Sequence, residues 1–108
     1  MKNRKIIQKI INYIDSVLKY TSNITYDEFK KNSMMVEACV FNLSQIGELT
    51  NKLDKEYLIK YSDIPWLKMK GLRNRIVHDY EGVNLKLIWE IIDTDIKILK
   101  EQLLKLIE

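Results

Sequence analysis

Apolar residues recur every three or four positions at both ends of this 108-residue chain, a spacing that places them on one face of an α-helix. The first such run spans Lys2 to Tyr20, and the last spans Leu85 to Glu108. The chain contains 3 glycines and 1 proline, which favours long helices over a loop-rich sandwich. The sequence therefore predicts an all-α fold, an up-and-down bundle of four to five helices with residues 1–108 in one domain. The core positions predicted for the two runs are Ile6, Ile7, Ile10, Ile14, Val17, Leu18, Ile88, Ile91, Ile92, Ile96, Ile98, Leu99, Leu103, Leu106 and Ile107.

The middle of the chain is apolar on nearly all sides from Met34 to Leu53, which indicates a helix buried among several others. Glu37, Asn42 and Glu48 interrupt this stretch. Because an unpaired buried carboxylate costs free energy, we expect each of the three to have a partner or to face an interface.

Several residues indicate where the helices begin and end. The predicted N-caps are Thr25 (in a capping box with Glu28), Asp63 and Asn84. The helix opened by Asp63 would carry Pro65 in its first turn and fray near His78, since Glu81 to Asn84 is expected to form a loop. Trp66, Trp89 and the methionines are interpreted as core residues.

The composition excludes several classes of function. Cys39 is the only cysteine, and its apolar surroundings predict a buried thiol in a reducing compartment. One histidine and one cysteine cannot make a zinc site, and there is no glycine-rich phosphate loop, so no metal or cofactor is expected. No leader and no apolar run of about 20 residues is found, which predicts a cytoplasmic protein without a membrane anchor.

The basic residues are clustered, although the net charge is only +3. From Ile64 to His78 there is no acidic residue. The four cations of this segment are Lys68, Lys70, Arg73 and Arg75. His78, the only histidine, is the one side chain that ordinarily exchanges a proton near neutral pH. A proton-transfer group among phosphate-binding cations suggests chemistry on a polyanion, and RNA is the first to consider.

The spacing of Arg73 and His78 limits how the two can act together. On a continuous helix, positions five residues apart point about 140° away from each other. They can share a face only if the helix ends or bends between them, and the loop expected after Tyr80 favours an ending that places His78 at a helix C-terminus. RNA cleavage without a metal needs both a base and an acid, and one histidine supplies half of that pair. A two-fold dimer would bring two copies into one cleft.

The segment Arg73–Tyr80 reads R-N-R-I-V-H-D-Y, which resembles the R-N-x-x-x-H-x-Y motif of HEPN ribonucleases. It is most similar to the HepT-like toxins of bacterial and archaeal toxin–antitoxin pairs. Two further stretches resemble the same family, and the ordered set of three is more specific than the motif alone. These stretches are Gln45–Glu48 with Lys52-Leu53, and Ile64–Trp66 with Gly71-Leu72.

The resemblance implies a helical homodimer whose two motifs face one cleft. It implies the toxin of a type VII-like pair, a metal-independent endoribonuclease that cleaves tRNA or mRNA and leaves 2′,3′-cyclic phosphate ends. Arg73 would bind the phosphate, His78 would act as general base or acid, and Asn74 would support them. Tyr80 matches the tyrosine to which a cognate minimal nucleotidyltransferase antitoxin attaches AMP. The neighbouring cations Lys68, Lys70 and Arg75 are the predicted RNA-binding residues.

Two other functions remain open on the sequence. A non-catalytic helical module could dock a nucleotidyltransferase and present a substrate or nucleotide, in which case His78 would be dispensable. A structural adaptor would show no phosphate-dependent behaviour at all. A lone histidine at a helix end also occurs as a capping or solvated residue, and Tyr80 could be an ordinary packing residue.

Overall fold

The computed structural model describes the backbone of residues 2–81 and 84–108, and the side chains of these residues outside 77–81. No strand occurs in these ranges, and the all-α class is confirmed. The helical elements are α1 (Lys2–Tyr20), α2 (Tyr26–Lys31), α3 (Ser33–Thr50), α4 (Lys55–Lys60), α5 (Trp66–Lys70), α6 (Leu72–Glu81), α7 (Leu85–Glu90), a π-helical segment (Ile91–Asp95) and α8 (Ile96–Ile107).

Four long helical units build the bundle, because some of these elements adjoin. Gly71 alone separates α5 from α6, and α7, the π-helical segment and α8 follow one another without a break. The long units are therefore α1, α3, α5–α6 and α7–α8, with α2 and α4 as short connecting helices. Helix α1 lies between α3 and α8, and α3 packs in turn against α5 and α6.

The predicted core stripes of the first and last helices are largely confirmed. Ile7, Ile10 and Ile14 of α1 are completely buried, as are Ile88 and Leu103 near the other end of the chain. Partly buried side chains at the edge of the core are Leu18, Leu106 and Ile107.

Ile98 is a correction, because 55% of it is exposed. It lies two residues after the buried Ile96, about 200° around the helix. The stripe on α8 is therefore narrower than the sequence suggested.

The π-helical segment was not expected from periodicity. The N–H of Ile96 donates to the carbonyl of Ile91, five residues earlier, and such a turn holds one more residue than an α-helical turn would. Ile91, Ile92 and Ile96 are all buried, at 1%, 2% and 1% exposure. The wider turn keeps all three isoleucines in the core, although Ile91 and Ile96 are five residues apart.

Two of the three predicted caps are confirmed. The Thr25 hydroxyl accepts from the N–H of Glu28 at 3.2 Å, and the Glu28 carboxylate accepts from the N–H of Thr25 at 3.0 Å. The side chain of Asn84 accepts from the N–H of Leu87 at 3.1 Å. The loop predicted before Asn84 includes residues 82–83, which lie outside the described residues.

The cap predicted at Asp63 is wrong. Helix α5 begins at Trp66, so Pro65 is its N-cap residue and makes no side-chain cap bond. The reason is a tight turn in which the N–H of Trp66 donates to the carbonyl of Ile64 at 2.8 Å. Ile64 is buried, so core packing and not side-chain capping fixes this helix start.

Helix α3 is shorter and less enclosed than the apolar run predicted. It ends at Thr50, before Leu53, and Met34 and Phe41 are 80% and 58% exposed. Helices α1, α2, α5 and α6 pack against α3, and these two side chains lie on the part of its circumference left uncovered. Met34 is thus not a core residue, whereas Trp66 and Met69 are buried as expected.

Cys39 lies in the middle of α3 and is completely buried. Burial raises the pKa of its thiol to about 11, because a thiolate is poorly stabilised away from water. The predicted burial of the Cys39 thiol is confirmed.

Candidate active site

Helix α3 approaches the α5–α6 junction closely at Gly47. A Cβ atom at this position would lie 3.1 Å from the carbonyl oxygen of Met69 and 3.4 Å from the backbone nitrogen of Arg73. These neighbours are backbone atoms of two helices and cannot turn aside as a flexible side chain would. Glycine is therefore the residue that allows α3 to lie against the start of α6.

Glu48, the next residue of α3, forms an ion pair with the first arginine of α6. The Arg73 Nη1 donates to the Glu48 Oε1 at 2.8 Å. The two side chains are 60% and 43% exposed, so the pair is worth at most about 1 kcal/mol in stability. Its main consequence is orientation, because it holds one edge of the guanidinium and leaves the other donors available.

The three polar residues that interrupt α3 differ in their surroundings. Glu48 has the partner expected of it in Arg73. The side-chain amide of Asn42 donates to the carbonyl of Ala38 at 2.6 Å, a bond within the same helix. Glu37 is exposed to solvent. Only Glu48 therefore connects the middle of the chain to the basic segment.

Helix α6 is continuous from Leu72 to Glu81, which corrects two expectations. It does not fray near His78, and it does not end or bend between Arg73 and His78. The two positions lie about 140° apart around one helix. His78 belongs to the last turn of α6, near a C-terminus as expected. The side chains of His78 and Tyr80 lie outside the described residues.

Two of the three predicted RNA-binding residues, Lys68 and Arg75, lie on a different face of the α5–α6 unit. Lys68 and Arg75 line a cavity of about 190 Å³ between this unit and α8, together with Asp95. Arg75 follows Arg73 by two residues, about 200° around α6. Lys70 is half-buried and Asn74 exposed, and neither lines this cavity. The basic segment of the sequence is thus divided between two surfaces.

Neither a metal site nor a membrane span is found in the described part of the chain. Among its side chains, no group of three histidine, cysteine, aspartate or glutamate residues is placed to hold a metal ion. None of its helices combines the length and the apolar character needed to cross a bilayer.

Gly47 and Glu48 are two residues near the site whose roles the sequence does not indicate. Both belong to the Gln45–Glu48 stretch, and Glu48 was expected to need a partner. Two features of the sequence could have indicated the pair. Glu48 is a carboxylate in an apolar helix, and the basic segment contains no acidic residue that could pair with its cations. The sequence did not show that Arg73, and not Lys70 or Arg75, would be that partner.

These features define a small, all-helical protein with an exposed, ion-paired arginine at the start of its basic helix. The chain belongs to the HepT-like ribonuclease family, because the family model described as Ribonuclease HepT-like matches residues 10–106. The resemblance seen in the sequence is confirmed.

Three relatives illustrate the family. A protein of Caldanaerobacter subterraneus subsp. tengcongensis, provisionally named an RNase, is 30% identical over 105 residues, covering 97% of this chain and 94% of its own. Another, of Methanocaldococcus jannaschii, bears the same provisional name and is 32% identical over 102 residues, covering 91% and 84%. A protein of Thermococcus cleftensis, provisionally named ribonuclease HepT, is 25% identical over 104 residues, covering 96% and 94%. No solved structure matches the chain significantly.

Proposed function

We propose that this protein is a metal-independent endoribonuclease and the toxin of a toxin–antitoxin pair. The observation that carries the proposal is the placement of Arg73 in a member of a ribonuclease family. Its guanidinium lies at the surface, held on one side by Glu48. A planar cation presented in this way is suited to bind a phosphodiester through two parallel hydrogen bonds.

The reaction assigns a separate task to each motif residue. A base removes the proton of the ribose 2′-hydroxyl, which then attacks the adjacent phosphorus. An acid protonates the departing 5′-oxygen, leaving a 2′,3′-cyclic phosphate. Arg73 stabilises the charge that develops on the phosphate oxygens. His78 serves as base or acid, and the exposed Asn74 supports the substrate as a polar neighbour.

A homodimer is part of the proposal, and the geometry of α6 supports it. The backbone positions of Arg73 and His78 lie about 140° apart on one continuous helix, an arrangement that favours supplying the two groups at one phosphate from two chains. A two-fold axis beside α6 would bring two histidines and two arginines into one cleft. Apolar surface for such a contact is present in Leu67, which is 85% exposed.

Regulation through Tyr80 follows from the same motif. A cognate minimal nucleotidyltransferase is the proposed antitoxin, and transfer of AMP to the tyrosine oxygen is its proposed action. Position 80 follows position 73 by seven residues, about two helical turns, so both backbone positions lie on the same side of α6. A nucleotide attached there would add bulk and negative charge near the place proposed for substrate phosphate.

The test is cleavage of total RNA in EDTA by the wild-type chain and by His78→Ala. We expect RNA fragments with 2′,3′-cyclic phosphate ends from the wild type alone, at equal helix content of the two proteins by circular dichroism. Equal cleavage by both would remove His78 from the mechanism. The absence of cleavage by the wild type on tRNA and mRNA would favour a non-catalytic module that docks a nucleotidyltransferase.

A further inference from the structure

A polar groove lies between helices α1 and α3, on a part of the molecule to which no role has been given. It has a volume of about 500 Å³, and the buried side chain of Leu49 contributes to its wall. We call it the α1–α3 groove, and its polar residues are Lys9, Asn12, Tyr13, Ser16, Gln45 and Lys52.

The charge of the α1–α3 groove distinguishes it from three other cavities of the described structure. Those are lined in part by Asp95, by Asp93 and by Glu28, respectively. The α1–α3 groove is lined by two lysines and no carboxylate. Within the described residues neither Lys9 nor Lys52 forms an ion pair, so both ammonium groups can take an anionic ligand.

The uncharged side chains of the groove add hydrogen-bond donors. The side-chain oxygen of Asn12 accepts from the amide of Gln8 at 3.2 Å, which leaves the Asn12 amide group as a donor. Gln45 contributes a second amide and Tyr13 a phenolic hydroxyl. The ring of Tyr13 is half-buried, so one part of it is held by the core while the rest faces the groove.

Helical spacing on α3 places one end of the α1–α3 groove near the Arg73–Glu48 ion pair. Gln45 and Glu48 are three residues apart on α3, a separation that places them on neighbouring parts of one helix face with a rise of about 4.5 Å. Gln45 lines the groove, and Glu48 accepts from Arg73. A ligand that occupied the groove and extended past Gln45 would therefore reach Arg73.

We propose that the α1–α3 groove binds the single-stranded RNA that flanks the scissile phosphate. Lys9 and Lys52 contact successive backbone phosphates, and Tyr13 stacks against a base. Positive charge along a backbone track with an aromatic platform is how proteins hold single-stranded nucleic acid without reading its sequence. This inference rests on the proposed function, since it extends the substrate beyond Arg73.

The test compares two double variants that remove equal charge. Lys9→Ala with Lys52→Ala empties the groove of cations. Lys30→Ala with Lys97→Ala is the control, because these lysines are also exposed and form only loose ion pairs of 3.7 and 3.6 Å elsewhere on the surface. The ligand is a labelled single-stranded RNA with 2′-O-methyl groups, which lacks the attacking hydroxyl and stays intact. Fluorescence anisotropy at several salt concentrations gives the Kd and its salt dependence.

We expect the groove variant to raise the Kd about tenfold and to reduce the slope of log K against log salt by about 1.4, as for two lost phosphate contacts. The control should change the Kd less than twofold. Equally weakened RNA binding in both variants would mean that only the net charge matters and would overturn the proposal. An unchanged Kd in the groove variant would overturn it as well.

Cleavage of unmodified RNA in EDTA by the same preparations separates this inference from the proposed function. Wild-type cleavage together with an unchanged Kd in the groove variant rejects the groove and leaves the ribonuclease standing. RNA binding that depends on the groove, without any cleavage, supports the groove and rejects the ribonuclease.

Substitutions of Tyr13 test the same inference independently. Tyr13→Phe should keep the Kd within about twofold, because the ring that stacks is retained. Tyr13→Ala should raise the Kd about fivefold or more, measured at a temperature where circular dichroism shows the variant folded. If Tyr13→Phe weakens binding as much as Tyr13→Ala, the ring does not stack on a base, and that part of the proposal is wrong.

Discussion

The two faces of the α5–α6 unit differ in packing, although the same short run of sequence supplies both. On the face towards α3, Gly47 brings two helix backbones together, and the guanidinium of Arg73 is fixed by Glu48 at 2.8 Å. On the face towards α8, Lys68 and Arg75 line a cavity of about 190 Å³. One arginine is therefore oriented by a specific partner, and the other borders open space.

This difference teaches that clustering of cations in a sequence does not put them in one site. Orientation is what a catalytic cation needs, since its effect depends on where its donors point when charge develops. Attraction of a polyanion needs only charge near the surface. We therefore expect the face towards α3 to act in the reaction and the face towards α8 to contribute, at most, to RNA affinity.

The largest expected effect is on the rate of RNA cleavage. Arg73→Ala should lower the single-turnover rate at saturating protein by a factor of about 10² or more, whereas Arg75→Ala should lower it less than about threefold. The two residues are of one type on one helix, so each is the control for the other. Comparable losses in both variants would mean that the two faces do not differ in function.

The next largest effect is on the free energy of unfolding, where substitutions of Gly47 and Gly71 should differ. Gly47→Val should destabilise the fold by about 1–3 kcal/mol, because its Cβ would lie only 3.1 Å from the carbonyl oxygen of Met69. Gly71→Ala should be neutral or stabilising by up to about 1 kcal/mol, since its Cβ would meet the Leu67 oxygen at an ordinary 3.4 Å. Urea denaturation measures both. A neutral Gly47→Val would show that α3 and α6 are not held closely together.

A smaller effect on kcat should follow from changing Glu48, the ion-pair partner of Arg73. Glu48→Gln should lower kcat several-fold because Arg73 is held less firmly, while KM stays the same or falls because a negative charge beside the substrate phosphate is lost. The free energy of unfolding should change by less than about 1 kcal/mol. A rise in KM at constant kcat would instead give Glu48 a role in binding RNA and not in orienting Arg73.

The smallest effect concerns the face towards α8. Lys68→Ala should leave the single-turnover rate unchanged and weaken RNA binding about twofold, with a salt slope smaller by about 0.7. Filter binding across a salt series measures this. A slope that does not change would remove Lys68 from the RNA interface, and a large loss of rate would move the reaction to that face.

The helical class, the core stripes and two of the three caps could be predicted because they depend on local chemistry. Hydrophobic periodicity places Ile7 and Ile88 in the core without knowledge of the tertiary contacts. Thr25 and Glu28 by themselves provide hydrogen-bond partners for the free N–H groups at a helix start. The start of α5 could not be predicted, since the burial of Ile64 overrides the capping tendency of Asp63. The exposure of Met34 and Phe41 depends on which neighbours cover α3.

The candidate site was predictable in composition but not in arrangement. Arg73 and the need of Glu48 for a partner could be identified from the sequence. The close contact at Gly47 and the choice of Arg73 as the partner of Glu48 arise from how α3 meets α6. The second joins residues 25 positions apart, which no local pattern reports.

The most direct measurement is a crystal structure of the His78→Ala variant with a single-stranded RNA. The account predicts a phosphate oxygen about 2.8 Å from the guanidinium of Arg73, a charge-assisted hydrogen bond, with Glu48 still paired to the same side chain. RNA phosphates bound only beside Lys68 and Arg75, with the Arg73–Glu48 pair away from the RNA, would contradict it.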